Sequence, residues 1–323
     1  MGLFRVDIRS LRNTDTGRET RLADAPLHGI YPILATCFTD DGDIDLDSQV
    51  RLIEFCIEGG VHGLVTLANA SEGHLLSDEE KQSLLAYVLE KVAGRVPVIV
   101  TVNHPSAVVA ARSAEFAESA GASAIMCLPP FFGRWRGGPS EIARYFEILD
   151  DTVGIPIVLQ DHVLSDIQMS SADIVELSER FAHLDYVKLE SGNVIHKARS
   201  LGVAVGESLE GVFGGNSGIF LPEEMMAGCC GTMPACYMPD VFRKTWDLIE
   251  NGNREQALDY FTPFSRLAAY EKEVCNRCVW KTLLVERSVI ASDAVREPVP
   301  GFATQWQKDQ LLSVARQAGL FNL

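Results

Sequence analysis

The sequence predicts an α/β fold, a (β/α)8 TIM barrel with a C-terminal helical extension. Three observations lead there. Short apolar runs recur eight times from Gly29 onward, each is followed by a polar loop and a segment of helical period, and Asp240–Leu320 is almost wholly helical in pattern. The runs are Tyr31–Thr36, Leu64–Leu67, Val96–Val100, Ala124–Leu128, Ile155–Leu159, Tyr186–Leu189, Leu209–Phe213 and Gly231–Met233. They do not alternate cleanly, as expected of parallel strands covered on both faces.

The helices show their ends. Asp47 starts one whose Val50, Ile53 and Ile57 face one way, and Gly59-Gly60 ends it. Ser77-x-x-Glu80 is a capping-box pattern opening the next, which stops near Gly94. Others are expected over Ser106–Ser119, Ser140–Asp151, Ser171–Phe181, Asn193–Ser200 and Pro222–Ala227. Eight βα units fit a closed ring better than an open sheet, and no GxGxxG follows the first strand to support a dinucleotide fold. The extension predicts helices over Val241–Glu250, Arg254–Tyr270, Val274–Val289 and Thr304–Ala318. The expected organisation is an N-terminal arm over 1–28, the barrel over 29–238, and the extension over 239–323 packed on it, with no flexible linker between.

The chain has 323 residues, 47 % of them hydrophobic, enough for one large core. Its net charge of −16 disfavours nucleic acid and anionic membrane as partners, so an anionic substrate must be captured by local donors. No apolar stretch is long enough for a membrane span and no signal-peptide core opens the chain, so a cytoplasmic protein is expected. Most of the eight cysteines lie in apolar runs and read as buried thiols. Cys275 and Cys278 form a lone CxxC in a helix-like stretch; without a second pair it reads as helix packing, and no metal or cofactor is expected.

Of eight lysines, seven lie in polar helix-like segments, where a solvated ammonium is the default. Lys188 lies in DYVKLES, near the C-terminal end of the sixth strand. Strand alternation puts Tyr186, Lys188 and Glu190 on one face and Val187 and Leu189 on the other. The apolar pair suits the helices, so Lys188 points into the barrel at the end where barrel enzymes keep their sites. A buried neutral amine attacks carbonyl carbon. The bland alternative is an ion pair without chemistry, to Glu190 or Glu72.

Three other segments stand at strand ends. Asn69, Ala70, Ser71 and Glu72 follow the second strand, where small residues and backbone amides suit a carboxylate, or make only a turn. Pro129-Pro130-Phe131-Phe132 follows the fourth, as a pocket wall or an oligomer contact. Gln160-Asp161-His162 closes the fifth, and Gly214-Gly215-Asn216 follows the seventh, leaving room for substrate or making a turn.

Together these segments resemble the dihydrodipicolinate synthase / N-acetylneuraminate lyase superfamily over about Gly29–Leu320. Lys188 falls where that family has its Schiff-base lysine, and ANASEGHLL where it has a Gly-Thr-Thr-Gly-Glu carboxylate loop, Glu72 matching the glutamate. Asn69 and Ala70 stand at the two threonine positions, and Ser71 at the second glycine. Gln160-Asp161 replaces a Tyr-Asn pair, Phe131-Phe132 replaces a tyrosine pair, and Leu164 and Ser165 stand near a missing arginine. LANASE, the Pro-Pro-aromatic loop, Leu-Gln-Asp and Lys-Leu-Glu are similar to the 2-keto-3-deoxy-L-arabonate dehydratase branch.

The resemblance implies a carbon–oxygen lyase that takes a small 2-keto acid, in a homo-oligomer, commonly a tetramer. Its implied catalytic residues are Lys188, Gln160 and Asp161; Asn69, Ala70, Ser71, Glu72, Phe132, Glu190 and Gly214 would bind substrate. Gln160, Asp161 and Glu190 stay unranked as proton carriers. Two other readings remain at this point: a pyruvate-dependent aldolase or condensing enzyme that shares the enamine, and a non-catalytic keto-acid-binding barrel.

Overall fold

A computed structural model describes residues 26–165, 167–275, 279–297 and 304–322. The expected arm lies almost wholly outside these residues. Eight parallel strands, β1 (Gly29–Ile30), β2 (Leu64–Thr66), β3 (Val98–Thr101), β4 (Ala124–Cys127), β5 (Ile157–His162), β6 (Tyr186–Glu190), β7 (Gly211–Gly214) and β8 (Gly231–Thr232), pair in sequence order, with β8 beside β1. Ile33 closes the ring by bridging Val65 on one side and Ala235 on the other. The first run was expected to be a strand over Tyr31–Thr36; only Gly29–Ile30 and the Ile33 bridge are. Pro32 sits in that run and has no N–H to give the ladder.

The barrel interior is filled by side chains on alternate strand positions, among them Tyr31, Val65, Ile99, Met126, Val158, Tyr186 and Phe213. Phe213 stands edge-on to Tyr31, ring centroids 5.5 Å apart. The intervening positions, such as Leu64, Val100, Ile125, Leu159 and Val187, join a second core with the helices outside. These helices are α1 (Leu46–Glu58), α2 (Asp78–Val92), α3 (Ala107–Ala120), α4 (Pro139–Asp150), α5 (Ser171–Arg180), α6 (Val194–Leu201) and α7 (Leu221–Met226). The Ser77–Glu80 capping box opens α2 as its sequence predicts.

Beyond β8, α8 (Pro239–Glu250), α9 (Arg254–Val274), α10 (Lys281–Glu286) and α11 (Gln305–Ala318) form the extension. α8 packs on α1 and α9, and α9 on α11, so the extension shares the outer core. The helix expected over Val274–Val289 is only α10. At Cys275 the backbone turns extended, φ −91° and ψ 160°, and ends α9, so the CxxC is not helical there; Cys278 lies outside the described residues. Among the described residues no helix is long and apolar enough to cross a membrane.

Truncating a ring in the barrel interior tests this packing. Phe213→Ala should destabilise the fold by about 3–5 kcal/mol, the usual cost of a phenylalanine-sized cavity, seen as a lower urea midpoint.

Candidate active site

The centre of the barrel mouth is a buried ion pair on one strand. Lys188 is 1 % exposed, and its Nζ lies 2.9 Å from Glu190 Oε2, two positions along β6 and on the same face. In the β5–β6 register Gln160 stands opposite Lys188, and its Nε2 donates to the same Glu190 oxygen at 2.7 Å. The Asn216 amide donates to Oε1 at 3.2 Å. Burial alone would raise Glu190; the charges of Lys188 and His162 and the bonds from Gln160 and Lys188 outweigh it and bring its pKa down to about 2. Glu190 is therefore a carboxylate. Lys188 meets it as an ion-pair partner, the alternative that the sequence left open beside a lone neutral amine.

Asp161 is corrected. The period of two that brings Gln160 inward turns Asp161 outward, opposite Leu189. Behind the sheet its Oδ2 lies 2.5 Å from Lys197 Nζ and accepts from Ser191 Oγ at 2.6 Å. It belongs to the layer between sheet and helices, away from the mouth. Lys197, expected to be solvated, is mostly buried by this contact.

The loop after β2 is tightly wound. Asn69–Ser71 form one 3-10 turn, flanked by left-handed backbone at Leu67 (φ 58°) and Glu72 (φ 56°). Such conformations cost non-glycine residues on the order of 1–3 kcal/mol and persist only where the surroundings hold them. A Cβ on Gly73 would run into the Leu67 carbonyl, so the chain can double back only with glycine there. Ser71 Oγ donates to Leu34 O at 2.6 Å, and Thr36 Oγ1 donates to Ser71 O at 2.5 Å. Glu72 is paired with Lys281 of α10 and accepts from the Arg296 amide at 2.9 Å. The expectation that Ser71 and Glu72 bind substrate is thus corrected: both are spent on holding the turn. Asn69 and Ala70 remain. Asn69 Nδ2 is buried without a partner, and the amides of Asn69 and Ala70 have no acceptor among the described residues.

Two more expectations change. Phe132 is 74 % exposed, on a two-stranded hairpin with Trp135, and does not wall the mouth of its own chain; Phe131 is the half-buried neighbour. Gly214 does not make room for substrate, because a Cβ there would overlap the Glu224 carboxyl; Gly215 is the residue that faces inward, against Glu190. A cavity of about 570 Å³ opens beside the mouth, reaching Asn69, Thr101, Asn103, Phe131 and Leu164, and Lys188 is not in its lining.

The sequence reading passes over Glu224, takes Lys281 as solvated, and notes Asn216 only as part of a turn. For Lys281 a signal was present: Val279, Trp280, Leu283 and Leu284 surround it, and all five residues are buried. Asn216 meets Glu190 through its backbone amide, which no side chain announces, while its Oδ1 accepts from Lys272.

The dihydrodipicolinate synthetase family profile matches residues 26–318. The chain belongs to this family. Its members are lyases, and at that level so is this protein. The chain is 33 % identical over 297 residues to the L-2-keto-3-deoxyarabonate dehydratase of Azospirillum brasilense, covering 91 % of this chain and 96 % of that one. The dihydrodipicolinate synthase of Rhodopseudomonas palustris superposes with a TM-score of 0.83 at 27 % identity, covering 90 % and 98 %. YagE of Escherichia coli K12, solved in complex with pyruvate, superposes at 0.84 with 24 % identity over 92 % and 100 %, which speaks for the fold.

The Lys281–Glu72 pair yields a stability test. Lys281→Met should cost about 3–5 kcal/mol by leaving a buried carboxylate unpaired. Adding Glu72→Gln should recover part of that loss in a double-mutant cycle of urea unfolding.

Proposed function

We propose that this lyase forms a Schiff base through Lys188 and dehydrates a 2-keto-3-deoxy sugar acid, of the 2-keto-3-deoxy-L-arabonate type. The observation that carries the reading is the buried Lys188–Glu190 pair at the mouth, with Gln160 and the Asn216 amide fixing the carboxylate. The Azospirillum relative, matched along nearly its whole length, supports the substrate class.

The substrate carboxylate meets the donors of Asn69 and Ala70, which lack acceptors within the chain. Lys188 passes a proton to Glu190 and attacks the C2 ketone as a neutral amine. Loss of water from the carbinolamine leaves an iminium, which acidifies the C3 proton. A base takes that proton and an enamine forms; the enamine expels the C4 hydroxyl, which leaves as water after protonation. Hydrolysis frees Lys188. For a five-carbon substrate the remaining double bond moves to C4–C5, and the enol becomes the aldehyde of 2-oxoglutarate semialdehyde.

Glu190 is the proton carrier of first choice. Asp161 is spent on Lys197 behind the sheet, and Gln160 does not titrate. Once Lys188 gives up its proton, the cation that holds Glu190 low is gone, so Glu190 can keep that proton and return it to the carbinolamine hydroxyl, which leaves as water and frees the carboxylate as a base.

Lys188→Ala should lose turnover and prevent borohydride trapping of pyruvate or 2-keto-3-deoxy-L-arabonate, read by intact mass. An unmodified wild-type chain after such treatment would sink the reading, and release of pyruvate plus an aldehyde would make the enzyme an aldolase. Asn69→Ala should raise KM about tenfold or more with a smaller change in kcat, since a hydrogen bond to a charged group contributes about 1.5–3 kcal/mol.

A further inference from the structure

We infer that Glu224, on α7 and behind the barrel wall, is a positioning residue that grips the Gly214–Asn216 segment and so aims the Asn216 amide at Glu190. The inference rests on the reading that Lys188 forms an imine beside Glu190.

The segment runs between two acids. Gly215 N donates outward to Glu224 Oε1 at 3.3 Å, and the next amide, Asn216 N, donates inward to Glu190 Oε1 at 3.2 Å. Both acids lie against bare backbone: a Cβ on Gly214 would overlap the Glu224 carboxyl, and one on Gly215 would overlap the Glu190 side chain. Asn216 and Ser217 follow in left-handed conformations, φ 51° and 57°, which need outside restraint. Glu224 holds the preceding Gly215 amide from outside, Lys272 and Glu271 of α9 hold the side chains of Asn216 and Ser217, and Glu190 receives the Asn216 amide on the inner side.

Glu224 is 1 % exposed and has no ion pair among the described residues. Its Oε2 and the hydroxyl of Thr232, opposite Gly214 on β8, are both buried without an assigned partner, and Thr232 lowers the Glu224 pKa as a hydrogen-bonding neighbour. The Thr232 hydroxyl donating to Oε2 would complete both. Burial raises Glu224 to about 7, against the bonds from Thr232 and Gly215 and with the charges of Glu190 and Glu223. The other titratable group facing it is the Cys229 thiol, itself raised by burial. Above neutrality Glu224 ionises, and a carboxylate accepts from Gly215 more strongly than the acid does, so the hold on the turn tightens.

The test is deuterium exchange into the methyl group of pyruvate in D2O, followed by NMR, which reads enamine formation without needing the natural substrate. Glu224→Leu, which cannot accept from Gly215, should lower the saturated exchange rate about tenfold while leaving half-saturation within about twofold. Glu224→Gln, whose amide oxygen still accepts, should rescue most of that loss and remove the wild-type rise in rate as pH passes through about 7. Wild-type rates in Glu224→Leu, or an unchanged rise through about pH 7 in Glu224→Gln, would overturn the inference. Should Glu224→Leu not fold, the Glu224→Gln profile decides alone. Borohydride trapping with pyruvate separates the two ideas: a wild type that traps nothing refutes imine formation, whereas normal trapping with unaltered exchange in both variants refutes only the role of Glu224.

Discussion

An ammonium and a carboxylate buried side by side on β6 set the conditions for the whole barrel mouth. Taking either charge out of water costs several kcal/mol, and their attraction repays this only when the remaining lone pairs are also met. Lys188 and Glu190 are two residues apart, so one strand places them together. The rest must come from neighbours. β5 has to stay in the ladder as far as His162 so that Gln160 can stand beside the pair, and the β7 turn must come close enough for its amide to reach Oε1.

A second buried pair does different work. Lys281 brings a charge from the extension under the β2 loop, where it meets Glu72, the Thr36 carbonyl at 2.8 Å and the Ala294 carbonyl at 2.9 Å. Phe38 lies beneath, with Lys281 Nζ 4.7 Å from its centroid and the Arg296 guanidinium carbon 4.8 Å. This network holds the left-handed turns at Leu67 and Glu72. The extension is thereby part of the mouth, because the Asn69–Ala70 donors owe their direction to a helix more than two hundred residues away in sequence. A chain with a net charge of −16 gains from such fixed donors, since its overall field repels a keto acid.

Three glycines with different duties show how closely the site is built. Gly73 permits the chain to double back over Leu67, Gly214 admits Glu224 from outside, and Gly215 admits Glu190 from inside. In each case the space is used by the protein itself.

The eight βα units, the cap at Ser77 and the inward side of Lys188 are legible in the sequence because each depends on neighbours within a few residues: periods of two and 3.6, and a side chain reaching an adjacent amide; the start of α1, expected at Asp47, falls two residues earlier with Asp45 as its cap. The Pro32 interruption and the late end of α9, which runs past Tyr270 to Val274, were harder, since backbone pairing decided the one and a local turn at Cys275 the other. The tertiary structure alone decided partners. Gln160 and Asp161 look alike as strand-end polar residues, yet one residue of parity puts them on opposite sides of the sheet. Nothing local separates Lys281 from a solvated lysine except its apolar flanks, and nothing near Glu72 names a partner on α10. A charge finds its counter-ion through space, and only the closed ring with its extension brings those residues within reach.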